Sequence, residues 1–124
     1  MTEASTDAAA GFTQGLPFNR LVGLRIDTAR EGQATGRLEI REEVHNHIGT
    51  IHAAAQFALI EALSGAATMS NLQDLLGRVT PLVEGIDVSY HKLLRGDAHG
   101  VATVATDSLA SWRRSSATGR LDSW

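Results

Sequence analysis

HNHIGTIHAAAQFALIEALSGAATM, residues 45–69, is the stretch on which the fold turns. Apart from Ile48 its first six residues are polar or turn-forming, and then the pattern becomes helical. Ala53, Phe57, Ile60, Ser64 and Ala67 fall on one stripe of a 3.6-residue period, while Ala54, Ala58, Ala62 and Ala66 fill much of another. The spacing predicts a helix over Ile51 to Met69 that is apolar nearly all round, and such a helix must be surrounded by protein. Its alanines let it lie close against a sheet. Thr50 is the expected N-cap, although no Glu or Gln follows at the capping-box position.

Strand patterns flank this helix on both sides. Before it, Leu24, Ile26 and Thr28 alternate with Arg25 and Asp27, and Leu38 and Ile40 alternate with Arg37 and Glu39, with a turn expected near Glu31 and Gly32. After it, Asn71 to Leu76 reads as a short helix or turn ending at Gly77. Ile86, Val88 and Tyr90 then alternate with Asp87 and Ser89, and Val101 to Thr106 is rich in β-branched residues. The last segment, SWRRSSATGRLDSW, begins like another strand and stops as it starts to alternate. Residues 1–15 have no period and are expected to be a frayed, disordered terminus outside the core, with order starting near Leu16. The order of elements is α+β, an antiparallel sheet around one long central helix, in a single domain spanning 16–124.

Composition narrows the functional classes. A chain of 124 residues holds one core. A net charge of −3 with no long basic run argues against nucleic acid as a partner. No cysteine is present, which removes disulfides, thiolate metal sites and a thiol nucleophile, and suits a reducing cytoplasm. Neither a signal peptide nor a membrane span is read, so no membrane partner is expected.

Three observations give residues 45–61 a chemical reading. Glu61 lies within an otherwise apolar helix, where a carboxylate is costly unless it is paired or has a task; a helix-face glutamate reaching solvent or an arginine is the plainer reading. The polar cluster precedes the helix start, where free N–H groups near Ile51 to Ala54 can hold a developing oxyanion. Ala53 and Glu61 are eight positions apart, about 12 Å along an ideal helix, which hints at a site shared between two subunits. His45, His47, His52, His91 and His99 raise metal binding as an alternative, but they lack the paired helix-face spacing of common zinc motifs, and no metal site is expected. There is no phosphate loop or serine elbow.

Asn46, Gly49, Thr50, His52, Ala53 and Glu61 together resemble the signature of hotdog-fold acyl-CoA thioesterases of the phenylacetyl-CoA thioesterase-like kind, relatives of 4-hydroxybenzoyl-CoA thioesterase. That pattern runs Asn, two residues, Gly, often Thr, one residue, His, Gly, then an acidic residue on the central helix. Here Ala53 stands in place of the second glycine, which narrows the room beside the thioester while keeping the backbone donor. The flanks LPFNRLVGLRI and VSYHKLLRGD are similar to the family's leading helix with its first strand and to a later strand with its turn, so the likeness spans most of Leu16 to Trp124.

The resemblance implies a hotdog fold and hydrolysis of a small-to-medium or aryl acyl-CoA, with coenzyme A as part of the substrate and no other cofactor. It implies Glu61 as general base or nucleophile, Asn46 orienting the water or the acid, the Ala53 N–H as oxyanion donor and His52 helping to position the carbonyl. Gly49 would bend the chain to bring Asn46 inward. Gly49, Thr50, Phe57, Lys92 and Arg95 are assigned to substrate binding, with Phe57, Ile60, Leu63 and Met69 setting tunnel length and Lys92, Arg95, Arg113 and Arg114 near the CoA phosphates. A homodimer or a dimer of dimers with a shared site is expected. Because hotdog subunits close the sheet with a further strand, this chain is expected to lack its final one. A hydratase or dehydratase pairing His52 with Glu61, and a non-catalytic acyl-CoA-binding subunit, are the competing readings.

Overall fold

The computed structural model describes residues 8–75, 78 and 80–105. Two alternating segments form a hairpin, β1 (Arg25–Arg30) and β2 (Gln33–Leu38), closing where Arg30 stands opposite Gln33. Glu31 and Gly32 make the turn with φ of 51° and 77°, the doubly positive geometry whose twist matches the flanking strands. The Gly32 N–H donates to Ser70 Oγ at 2.9 Å, and the Gly32 carbonyl accepts from the Val104 N–H at 2.8 Å, which ties the turn to two distant segments. Strand β3 (Ala98–Thr103) pairs antiparallel with the other edge of β2, giving the order β1-β2-β3.

Across the inner face lies the long helix, here α3 (Ala53–Asn71). Its buried stripe is Ala55, Ala58, Leu59, Ala62, Leu63, Ala66 and Ala67, set against Ile26, Ala29, Ala34, Leu38 and Ala98 of the sheet. Each buried leucine is worth on the order of 2 kcal/mol, and the alanines let the backbones approach. Within the single chain the helix is covered along one stripe. Phe57 and Ile60 are 37% and 38% exposed, because the sheet covers one stripe only. No helix among the described residues is long and apolar enough to cross a membrane.

Order begins earlier than the composition of residues 1–15 suggests. Ala8–Gln14 forms helix α1 and buries Ala9, Ala10 and Thr13. The Gln14 Oε1 accepts from the Ile26 N–H at 2.8 Å, and the Thr13 carbonyl accepts from Asn19 Nδ2 at 2.8 Å, so α1 is fastened to β1 and to helix α2 (Pro17–Val22). Small residues escape a search for apolar periodicity, yet they are what fits against a sheet edge. Strand β1 starts only after Gly23 ends α2.

The strand expected over Ile86 to Tyr90 is absent. Residues 80–97 run without regular structure, with Ile86 and Tyr90 41% and 48% exposed. Alternation alone does not make a strand, which needs a partner to take up its N–H and C=O groups, and these residues pair with neither outer edge of the described sheet. The segment is held instead by point contacts, described below. The expected strand at 111–124, with Arg113 and Arg114, lies outside the described residues.

Candidate active site

A 3₁₀ turn (Glu42–Val44) leads from the sheet into a closed loop, pinched by a bridge between His45 and Ile51. Asn46 organises this loop from within. Its Oδ1 accepts from the Ile48 and Thr50 N–H groups, each at 3.0 Å, and its Nδ2 donates to Thr50 Oγ1 at 2.6 Å. The Asn46 N–H donates to the Thr50 carbonyl at 2.8 Å, and the Gly49 N–H, at φ 79°, donates back to the Asn46 carbonyl at 3.3 Å. Thr50 is therefore buried inside the loop.

That packing changes which residue starts the helix. Thr50 is not the N-cap. His52 is, with its Nδ1 accepting from the Ala54 N–H at 2.9 Å and its carbonyl accepting from the Ala55 and Gln56 N–H groups, both at 3.0 Å. An accepting Nδ1 fixes the neutral ring with its proton on Nε2. The Gln56 side chain reaches back to the Ile51 carbonyl at 3.0 Å, a brace that no capping-box spacing from Thr50 predicts.

These bonds account for the donors of the first helical turn one by one. Those of Ala54, Ala55 and Gln56 are taken, whereas the Ala53 N–H meets no acceptor among the described residues. Ala53 is exposed at the helix N-terminus, where the backbone dipoles favour negative charge. The Ala53 carbonyl accepts from Tyr90 Oη at 3.2 Å, and the Ile51 N–H donates to the Leu94 carbonyl at 3.0 Å. Residues 90–95 are thus held beside the helix start, with Lys92 and Arg95 exposed there.

Glu61 lies further along α3, half-buried, and its carboxylate makes no ion pair or hydrogen bond with a described residue. It lines a cavity of about 640 Å³ together with Ile60, Ser64 and Thr68 of its own helix, Ile86 of the irregular segment and His99 of β3. Phe57, expected to line the acyl tunnel, is not among the lining residues, whereas Ile60 and Leu63 are. Ser64, Thr68 and His99 were not singled out for this cavity by sequence, because their convergence depends on how β3 passes the helix. The structure gathers Asn46, Gly49, Thr50, His52 and Ala53 at one end of α3 and sets Glu61 two turns away, so one subunit does not bring all of them together. No group of three or more His, Asp or Glu able to hold a metal ion occurs among the described residues.

The family model described as Domain of unknown function (DUF4442) matches residues 6–120. The chain belongs to that family. No curated protein matches it. Among solved structures, the DUF4442 chain is similar to PA5026 of Pseudomonas aeruginosa, described as a protein of unknown function and probable thioesterase. The TM-score is 0.75 at 22% identity, over 90% of this chain and 74% of that one. It is also similar to the conserved protein PA5202 of the same organism, with TM-score 0.65 and 25% identity over 76% and 74% of the two chains. With its antiparallel sheet against one long helix, this DUF4442 chain has the hotdog fold.

Proposed function

We propose that this chain is an acyl-CoA thioesterase acting on small-to-medium or aryl acyl groups, with its active site shared between two copies of the chain. The observation that carries the reading is the Ala53 N–H, the one donor of the first turn of α3 left without an acceptor among the described residues. A preorganised backbone donor at a helix start suits the oxyanion of a tetrahedral thioester intermediate, and losing one such donor typically costs about a hundredfold or more in rate. Glu61 supplies the base or the nucleophile, facing a largely apolar cavity able to take an acyl group. PA5026, a probable thioesterase of the same fold, supports the same chemistry.

Separation along α3 supports a site shared between two copies. Ala53 and Glu61 of one helix are about 12 Å apart along its axis, too far to act on one carbonyl, so the donor of one copy works with the carboxylate of its partner. A dimer is the smallest active unit on this reading, and the loop built by Asn46, Gly49 and Thr50 positions the Ala53 donor. The same distance weighs against a hydratase that pairs His52 with Glu61 inside one chain, since His52 Nδ1 is already committed to the helix cap.

The test is release of free thiol from acetyl-, phenylacetyl- and longer acyl-CoA esters by the wild type and by Glu61→Gln. Hydrolysis lost in a folded variant, at least about a hundredfold, supports the reading. Equal rates for both proteins reject Glu61 as the base, and a folded wild type without activity leaves an acyl-CoA-binding subunit.

A further inference from the structure

One row of side chains crosses all three strands on the solvent face of the sheet. Arg25 of β1 stands opposite Arg37 of β2, and Arg37 stands opposite His99 of β3. Their neighbours Ile26, Leu38 and Ala98 are buried against α3, so these three point the other way. Basic residues placed directly across from one another repel, and a chain of net charge −3 is not short of acidic residues to separate them.

Among the described residues little answers this charge. Arg37 Nη1 comes only within 3.9 Å of Asp27 Oδ1, beyond hydrogen-bonding distance. Arg37 Nε is buried and has no partner among the described residues, a donor withdrawn from water without an acceptor. Arg30 adds a further positive charge on the same face, opposite Gln33.

Resting on the acyl-CoA reading above, we propose that the row Arg25, Arg37 and His99 binds phosphate groups of the substrate's coenzyme A arm. The two regions meet at β3, whose residues border the cavity that holds Glu61 and whose His99 ends the row. Arg95, four positions before His99, continues the basic track toward the start of α3, where the Ile51 N–H holds Leu94. A phosphate bridging Arg25 and Arg37 removes their repulsion and gives the guanidinium of Arg37 acceptors suited to its planar fork. Lys92 and Arg95 would then hold the arm near the thioester, and the sheet row its phosphorylated end.

Calorimetric titration of the full chain with CoA and with pantetheine, which lacks the phosphates, tests the assignment. The wild type is expected to bind CoA more tightly, with an advantage that shrinks as salt is raised. Arg37→Gln and Arg25→Gln, each checked for folding by circular dichroism, are expected to weaken CoA binding by about tenfold. A wild type that binds the two ligands equally, or variants that keep the full preference for CoA, overturns the row. Hydrolysis of an N-acetylcysteamine thioester, which has no phosphate, is measured on the wild type in parallel. Turnover of that substrate without a CoA preference sinks the row and leaves the thioesterase reading standing. A CoA preference carried by Arg25 and Arg37 with no turnover sinks the catalytic reading and leaves the row as a CoA site.

Discussion

Gly36 and Gly100 face each other across β2 and β3, and the Leu63 side chain of α3 sits over both. A Cβ on Gly100 would lie 2.5 Å from Leu63 Cδ1, and one on Gly36 would lie 2.9 Å from Leu63 Cδ2 and also strike the Arg25 carbonyl. The helix lies this close to the sheet because neither strand carries a side chain there. Gly100→Ala and Gly36→Ala are each expected to destabilise by about 1–3 kcal/mol, the usual range for overpacking. Gly36→Ala should be the worse, since a backbone carbonyl cannot swing aside as a leucine can. Urea unfolding curves read both, and combining Gly100→Ala with Leu63→Val should lose less than the sum of the two single changes.

Asn46 spends its side chain on the loop. If its role is to shape the path into Ala53, Asn46→Asp retains the two acceptances from Ile48 and Thr50 and leaves the Thr50 hydroxyl free to donate to the carboxylate. Asn46→Ala strands those N–H groups, one of them part-buried, at a cost of about 1–3 kcal/mol. The expected ranking in both melting temperature and turnover is wild type, then Asp, then Ala. An Asp variant that is as stable as wild type but as inactive as Ala would instead assign Asn46 a direct part in orienting water.

Glu43 supplies the pH dependence the structure supports. A backbone hydrogen bond at Glu43 itself, with the Arg41 guanidinium 3.3 Å away, holds its carboxyl below the usual carboxylate range. A depressed folded-state pKa contributes stability above the unfolded value and loses it as pH falls through the folded one. Arg41 also donates to the Val22 carbonyl, so the pair joins the end of α2 to the 3₁₀ turn. Glu43→Gln is therefore expected to lower the melting temperature slightly near neutrality and to flatten its decline under acid. A steeper decline in the variant than in the wild type would contradict the assignment.

The central helix and the hairpin could be read from residue order because each buries one stripe against the other, and burial writes a period into sequence. Helix α1 could not, since Ala9 and Ala10 fill space without an apolar rhythm. At Ile86 to Tyr90 the alternation was real but no strand pairs with it, and a local pattern carries no information about what lies beside it. The site shows the same division. Asn46 to Ala53 is contiguous, so its loop-then-helix character was legible, whereas the donor left free depended on which way the His52 ring turned. That His99 and Ile86 line one cavity with Glu61 is set by the path of β3 and residues 80–97.

His52 gives the last test, because its side chain has a structural task that any good cap can perform. Its Nδ1 satisfies the Ala54 N–H, and removing a cap costs about 1 kcal/mol. His52→Ala should lower stability by roughly that amount, whereas His52→Asn and His52→Asp should restore it by offering an oxygen to the same N–H. Turnover separates capping from chemistry. If His52 acts only by fixing the first turn and so aiming the Ala53 N–H, the Asn variant recovers rate along with stability. Should the ring's Nε2–H also touch the thioester, Asn recovers the melting temperature while kcat stays low. Thermal melts and acyl-CoA hydrolysis on the three variants, run side by side, distinguish the two roles.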